Sequence, residues 1–254
     1  MLFDSAATLA ACFAAVIVVG LSKGGLGGAM ALLGVPLMSL VMPPVQAAGI
    51  LLPILLVMDG VSLWSWWGQW DRRTLLVMLP GAVVGIAIGW ATAAIVSDPM
   101  VRLIVGLIAL AFVLRYVQLT VAGQGSAARP HRPLLGSVWA SVAGYTSFVA
   151  HAGGPPYQVY TMPLRLDPKV YVSTSVLFFA VVNAIKTIPY FALGQFDATN
   201  LTTSALLMPV AALATLFGAW LVKRIRAEVF YPLMYAFVAV VAAKLIWDGV
   251  AGLT

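Results

Sequence analysis

The chain has 254 residues, of which 62% are hydrophobic and only 9% charged, too few polar side chains to cover a soluble globule of that size, so it belongs in lipid. Its formal net charge is +6, but the basic residues stand in short loops beside apolar runs and form no long stripe or tail. That pattern points to membrane topology and away from nucleic acid.

Ten hydrophobic elements are read, at about 5–22, 26–42, 45–67, 74–96, 99–121, 134–150, 155–166, 168–192, 199–222 and 228–252. Several exceed the roughly 18 residues that mark a membrane-spanning helix. The first is preceded by MLFD, with an acid where a secretory signal carries basic residues, and is expected to be retained. Cys12 within it is the single cysteine, which excludes an internal disulfide and a multi-cysteine metal site. The second and seventh elements are short and interrupted by Pro36 and Pro163, which predicts half-spanning or broken helices. Trp64, Trp66, Trp67 and Trp70 cluster where the third ends, as an interfacial aromatic belt would. The polar stretch 122–133, AGQGSAARPHRP, divides the chain. It predicts a first transmembrane repeat over 1–121, a basic cytoplasmic linker over 122–133 in which His131 is solvated, and a second repeat over 134–254.

The halves match each other. Gly27-Gly28 recurs as Gly153-Gly154 and Gly68-Gln69-Trp70-Asp71 as Gly194-Gln195-Phe196-Asp197, both at an offset of 126. Pro80, Gly89 and Arg115 return as Pro209, Gly218 and Lys244 at an offset of 129. Two short motifs in one register make duplication the better reading. If all ten elements cross, Lys23, then Arg72 and Arg73, Arg129 and Arg132, Arg165 and Lys169, and Lys223, Arg224 and Arg226 share one side, the cytoplasmic one. The opposite connections hold Asp98 and Asp197, with Arg102 the nearest exception. The predicted fold is therefore an all-α polytopic membrane protein made of inverted repeats of five elements, with both termini outside. Eight crossings with two re-entrant segments are the second choice, because they put basic loops on both sides.

Each half carries a glycine-rich break: Ser22-Lys23-Gly24-Gly25-Leu26-Gly27-Gly28 in the first, His151-Ala152-Gly153-Gly154-Pro155-Pro156 in the second. Such runs unwind a helix, and unwound backbone at membrane depth is tolerated where it lines a cavity. Free amides at the start of the next half-helix suit an anion. The competing reading is that the glycines let helices pack closely.

The opening LSKGGLGGAMALLGVPLMSL, the GQWD and GQFD motifs with their following Pro and Gly, and HAGGPP together resemble the sulfite exporter TauE/SafE family over nearly the whole chain. The resemblance implies a multi-pass carrier of small anions in the inner (cytoplasmic) membrane, acting by alternating access. Sulfite, sulfonates such as sulfoacetate, taurine or isethionate, and other organic acids are the implied substrates, with proton coupling as one mode. It leaves the direction of transport open.

The candidate substrate-binding residues are Lys23, Gly24, Gly25, Gly27, Gly28, His151, Gly153, Gly154, Tyr157, Asn183 and Lys186. Lys186 lies well inside the eighth element, with Asn183 and Tyr190 on its helical stripe at spacings of three and four. A buried ammonium needs a partner: the transported anion, a structural acid, or water reached by snorkelling. Asp59, the one acid deep within an element, sits near the symmetric place and reads either as a proton-coupling or ion-pairing group or as a hydrogen-bonded structural carboxyl. His151 reads as a substrate donor or titrating group, or as a helix cap. Arg115 reads as an interfacial anchor. No HExxH, paired intramembrane carboxylates or serine–histidine arrangement is present, so a membrane-embedded enzyme ranks below a carrier and an anion channel. No cofactor is expected; the expected partners are a small anion, the bilayer and, in one reading, a second copy as a homodimer. Single cysteines placed in 122–133 and at the C-terminus should react from the cytoplasmic and external sides respectively; a cytoplasmic C-terminus would overturn ten crossings.

Overall fold

The structure, a computed structural model, describes residues 6–25, 29–92, 95–123, 128–192 and 197–253. Ten α-helices occupy them: α1 (Ala6–Gly25), α2 (Gly34–Met38), α3 (Pro44–Ser65), α4 (Arg72–Thr92), α5 (Asp98–Val121), α6 (Pro133–Ala150), α7 (Gly154–Thr161), α8 (Pro168–Ala192), α9 (Ala198–Val222) and α10 (Ala227–Ala251). Seven of them, α1, α3, α4, α5, α8, α9 and α10, are long and apolar enough to cross a membrane. The second and seventh elements are broken, as their prolines predict. A 3-10 turn over Ala29–Leu33 leads into the five-residue α2, and the eight-residue α7 runs into a 3-10 turn over Met162–Leu164. At 1.5 Å per residue none of these pieces approaches the roughly 30 Å of a hydrocarbon core.

The chain forms two compact units, Met1–Trp70 with Ser175–Ile225 and Asp71–Thr174 with Arg226–Thr254. In the first unit α1 packs chiefly on α9, and in the second α6 packs chiefly on α4. By the sequence offset α6 is the counterpart of α1, and α4 that of α9. Each major contact thus joins an element of one half to an element of the other, and the pairing is reciprocal.

Small residues make both contacts close. A Cβ on Gly24 would fall on the Thr215 carbonyl and 2.6 Å from the Ala219 nitrogen of α9. In the second unit, Gly85 and Gly144 press in the same way on the backbones of Ser141 and Ala82. Gly218 of α9 meets Leu21 near the end of α1, while its counterpart Gly89 of α4 meets Phe148 near the end of α6. Without a hydrophobic drive between helices in lipid, such close approach supplies the dispersion contact that holds them.

The repeated GQxD motif starts a helix in each half. Asp71 accepts from the Thr74 amide (2.9 Å) and hydroxyl (2.5 Å) in the first turn of α4, and Asp197 accepts from the Asn200 amide (2.8 Å) and side chain (2.7 Å) in that of α9. Both are N-caps that satisfy orphan donors. The Gly194-Gln195-Phe196 part of the motif, like Gly27 and Gly28, lies outside the described residues.

Three expectations need correction. Lys23-Gly24-Gly25 is not unwound, because α1 stays helical through Gly25 with these glycines pressed on α9. Trp66 does not join an exposed belt: Trp64 and Trp67 are exposed, but Trp66 is buried with its indole nitrogen donating to the Gly24 carbonyl at 2.6 Å. His131 is only partly solvated, with Nε2 3.6 Å from an Asp71 oxygen.

Gly24→Leu or Gly85→Leu should each lower stability by about 1–3 kcal/mol or more through overpacking. Gly60→Ala, with nothing within 4 Å, should be tolerated. Thermal unfolding in detergent checks this; equal behaviour of all three would show that the close contacts do not hold the helices.

Candidate functional site

Charge deep inside an apolar protein is rare, and among the described residues the buried charged side chains are Lys23, Asp59 and Lys186. All three lie in the first unit. Lys23 stands in the last turn of α1, Asp59 in the C-terminal third of α3, and Lys186 in α8. Asp59 receives Lys23 Nζ on one oxygen at 2.5 Å and the Asn183 side-chain nitrogen on the other at 2.6 Å. Lys186, with no exposed surface, lies within electrostatic range of both Lys23 and Asp59 and has its ammonium 5.7 Å from the Tyr190 ring centre. Lys23 also lies 5.6 Å from the Phe179 ring centre. Phe179, Asn183, Lys186 and Tyr190 therefore form one stripe of α8.

Helix α3 anchors the end of α1 with a stripe of its own. Asp59, Ser62 and Trp66 follow one another at spacings of three and four. While Asp59 takes the Lys23 ammonium, the Ser62 hydroxyl donates to the Lys23 carbonyl at 3.0 Å and the Trp66 indole to the Gly24 carbonyl. Carbonyls in the last turn of a helix lack intrahelical donors; here two are satisfied without water. Lys223 adds its charge over the Trp66 ring at 5.2 Å.

The structure thus brings together Lys23, Asp59, Asn183 and Lys186 of the expected site. Gly24 and Gly25 sit beside Lys23 but face α9. The candidates at the second-half break, His151, Gly153, Gly154 and Tyr157, belong to the second unit. His151 is the C-cap of α6, in left-handed backbone (φ 52°), a conformation histidine adopts more readily than most residues. The break follows it: the Ala152 amide donates back to the Thr146 carbonyl at 3.0 Å, and the Thr146 hydroxyl donates to the Ala152 carbonyl at 3.1 Å. Gly153 packs against Ser147 and Ala143, and Gly154 begins α7.

Tyr157, one turn into α7, belongs to a group the sequence reading did not assemble. Tyr157, Gln158, Thr161 and Tyr171 have no exposed surface, and the Gln158 amide lies within hydrogen-bonding reach of the Tyr171 hydroxyl. A glutamine in a short apolar element is the signal that marks this group. A buried amide in an apolar element is costly unless it is hydrogen-bonded, and Tyr171 stands where it can supply that bond.

Long apolar helices and short broken elements between them define a multi-pass α-helical membrane protein. Residues 12–245 match the family described as Sulfite exporter TauE/SafE, and the chain belongs to that family. It is accordingly a membrane transporter with a small-molecule substrate. No curated protein and no solved structure matches the chain.

Asp59→Asn leaves two buried ammonium groups without their carboxylate and is expected to destabilise by about 3–5 kcal/mol. Adding Lys23→Met should recover much of that loss in a double-mutant cycle followed by thermal unfolding. Strictly additive losses would show that the two side chains are not coupled.

Proposed function

We propose that the chain is a secondary transporter of a small sulfur-containing oxyanion, sulfite or an organic sulfonate, and that the anion binds at Lys186. One observation carries this reading: among the described residues the buried ionisable side chains of the first unit are two lysines and one aspartate, a formal charge of +1. The Asp59 carboxylate is occupied on both oxygens by Lys23 and Asn183, so it holds the polar framework together, and an entering monoanion brings the cluster to neutrality. Electrostatics in a dry interior then favours the anion strongly over a neutral solute of the same shape. It also favours a simple sulfonate such as isethionate over zwitterionic taurine, whose own ammonium would meet two lysines.

In this reading Lys186 is the electrostatic contact and Asn183 positions the Asp59–Lys23 pair. The substrate moves by alternating access, with the inner membrane as the site of action and the break between α6 and α7 as a point where the backbone yields.

Uptake into proteoliposomes across sulfite, sulfonates, sulfate and small carboxylates tests the substrate. Lys186→Met, which leaves the Lys23–Asp59 pair whole, should keep the fold and weaken anion binding by about 10- to 100-fold, the range for losing a charged hydrogen bond. Lys186→Arg should retain only part, since guanidinium and ammonium differ in shape and hydration. Wild-type transport by Lys186→Met would sink the assignment. Saturable counterflow is expected; ohmic single-channel current would make the protein a channel instead.

A further inference from the structure

A cavity of about 240 Å³ opens in the second unit where the connection between α5 and α6 meets the end of α7. Its lining includes Arg129, Arg132, Leu135, Val159, Tyr160 and Pro163 and draws on none of Lys23, Asp59, Asn183 or Lys186. The connection is held in place there: the Arg129 amide donates to the Pro163 carbonyl at 2.9 Å, and Pro130 and Pro133 restrict the backbone on either side of His131.

The chemistry of the cavity is one-sided. Two guanidinium groups line it and no acid does, and Arg73 lies close enough to act electrostatically on Tyr160. Tyr160 is 5% exposed, and its hydroxyl has the Arg132 main chain beside it as a hydrogen-bond partner, which leaves its own proton to donate. Asp71 also lies within electrostatic range of Tyr160, but it caps α4 through Thr74 and faces His131. Arginine forks match tetrahedral oxyanions in two-pronged fashion, and a phenol hydroxyl can complete the set.

The surroundings favour an amphiphile. The first turns of α6 expose Leu134 (82%), Leu135 (45%) and Val138 (52%), an apolar strip that leads directly from the arginines onto a membrane helix. A basic pocket at the end of such a strip has the form of a headgroup site.

We infer that this cavity binds a phosphate group, with Arg129, Arg132 and Tyr160 as its donors, and that the group is carried by an anionic phospholipid whose chain lies along Leu134, Leu135 and Val138. Inorganic phosphate offers the same group without the chain.

The purified full-length protein in neutral detergent can be titrated with phosphatidylglycerol, with phosphatidylcholine and with inorganic phosphate, following thermal stability and lipid adducts by native mass spectrometry. Phosphatidylglycerol is expected to stabilise the wild type and phosphatidylcholine not to. Arg129→Gln with Arg132→Gln should weaken that binding about ten-fold or more, and Tyr160→Phe by a few-fold. Both arginines are solvent-exposed, so the double variant should fold; Arg129→Lys with Arg132→Lys, which keeps the charge and loses the forks, should fall between. Stabilisation by phosphate alone would support the oxyanion site and overturn the lipid as its occupant. Equal binding of phosphatidylglycerol by wild type and double variant would overturn the site.

Discussion

Asp59 is a carboxylate in an apolar interior, and such a group persists only if donors take both of its oxygens. One donor comes from α1 and the other from α8, so a single side chain on α3 ties three helices together. The transfer cost of an isolated buried charge far exceeds the net worth of an ordinary hydrogen bond. The relative placement of these helices follows from that need, and the Ser62 and Trp66 contacts fall into register once Asp59 and Lys23 have met. The polar framework gives direction to a contact that dispersion between helices leaves loosely specified.

Close packing supplies the rest. Gly20 and Gly24 let α1 approach α9, Gly81 and Gly85 let α4 approach α6, and aspartate caps begin α4 and α9. The recurring motifs therefore mark recurring mechanical tasks. Glycine serves at the seam, and aspartate serves where four amides would otherwise lack acceptors. In the first half the chemical specialisation lies in residues that do not recur. Asp59 and Lys23 have no charged equals at the matching positions, and Lys186 is the nearest intramembrane charge on the other side of the repeat.

Much of this was legible in the sequence, for definite reasons. Long apolar runs announce helices because lipid admits little else, and the spacing of Asn183, Lys186 and Tyr190 marks one face of α8, which is buried. The partner of Asp59 was not legible, because periodicity says which face of a helix is buried and nothing about what lies opposite. Lys23 read as a loop charge since it adjoins glycines, yet those glycines are helical, and the lysine is carried inside with the helix they allow to pack. Glycine is ambiguous in this way: the same residue permits unwinding and close approach. Trp66 was misread for a related cause, since three neighbouring tryptophans masked the one that lies on the stripe of Asp59 and Ser62.

The interleaving of the halves bears on how the protein is made. Helix α1 leaves the ribosome well before its chief packing partner, α9, and the Asp59–Asn183 bond closes over 124 positions. Until then the glycine face of α1 lacks the α9 backbone that it meets in the folded chain. Lys23 and Asp59, 36 positions apart, can neutralise each other while the rest of the chain is still emerging. The ion pair then serves first as a travelling companion for two charges that would each resist entering the bilayer alone, and only later as part of a finished interior. A chain interrupted after the first half would be left holding an unclosed seam, with the small-residue face of α1 lacking α9.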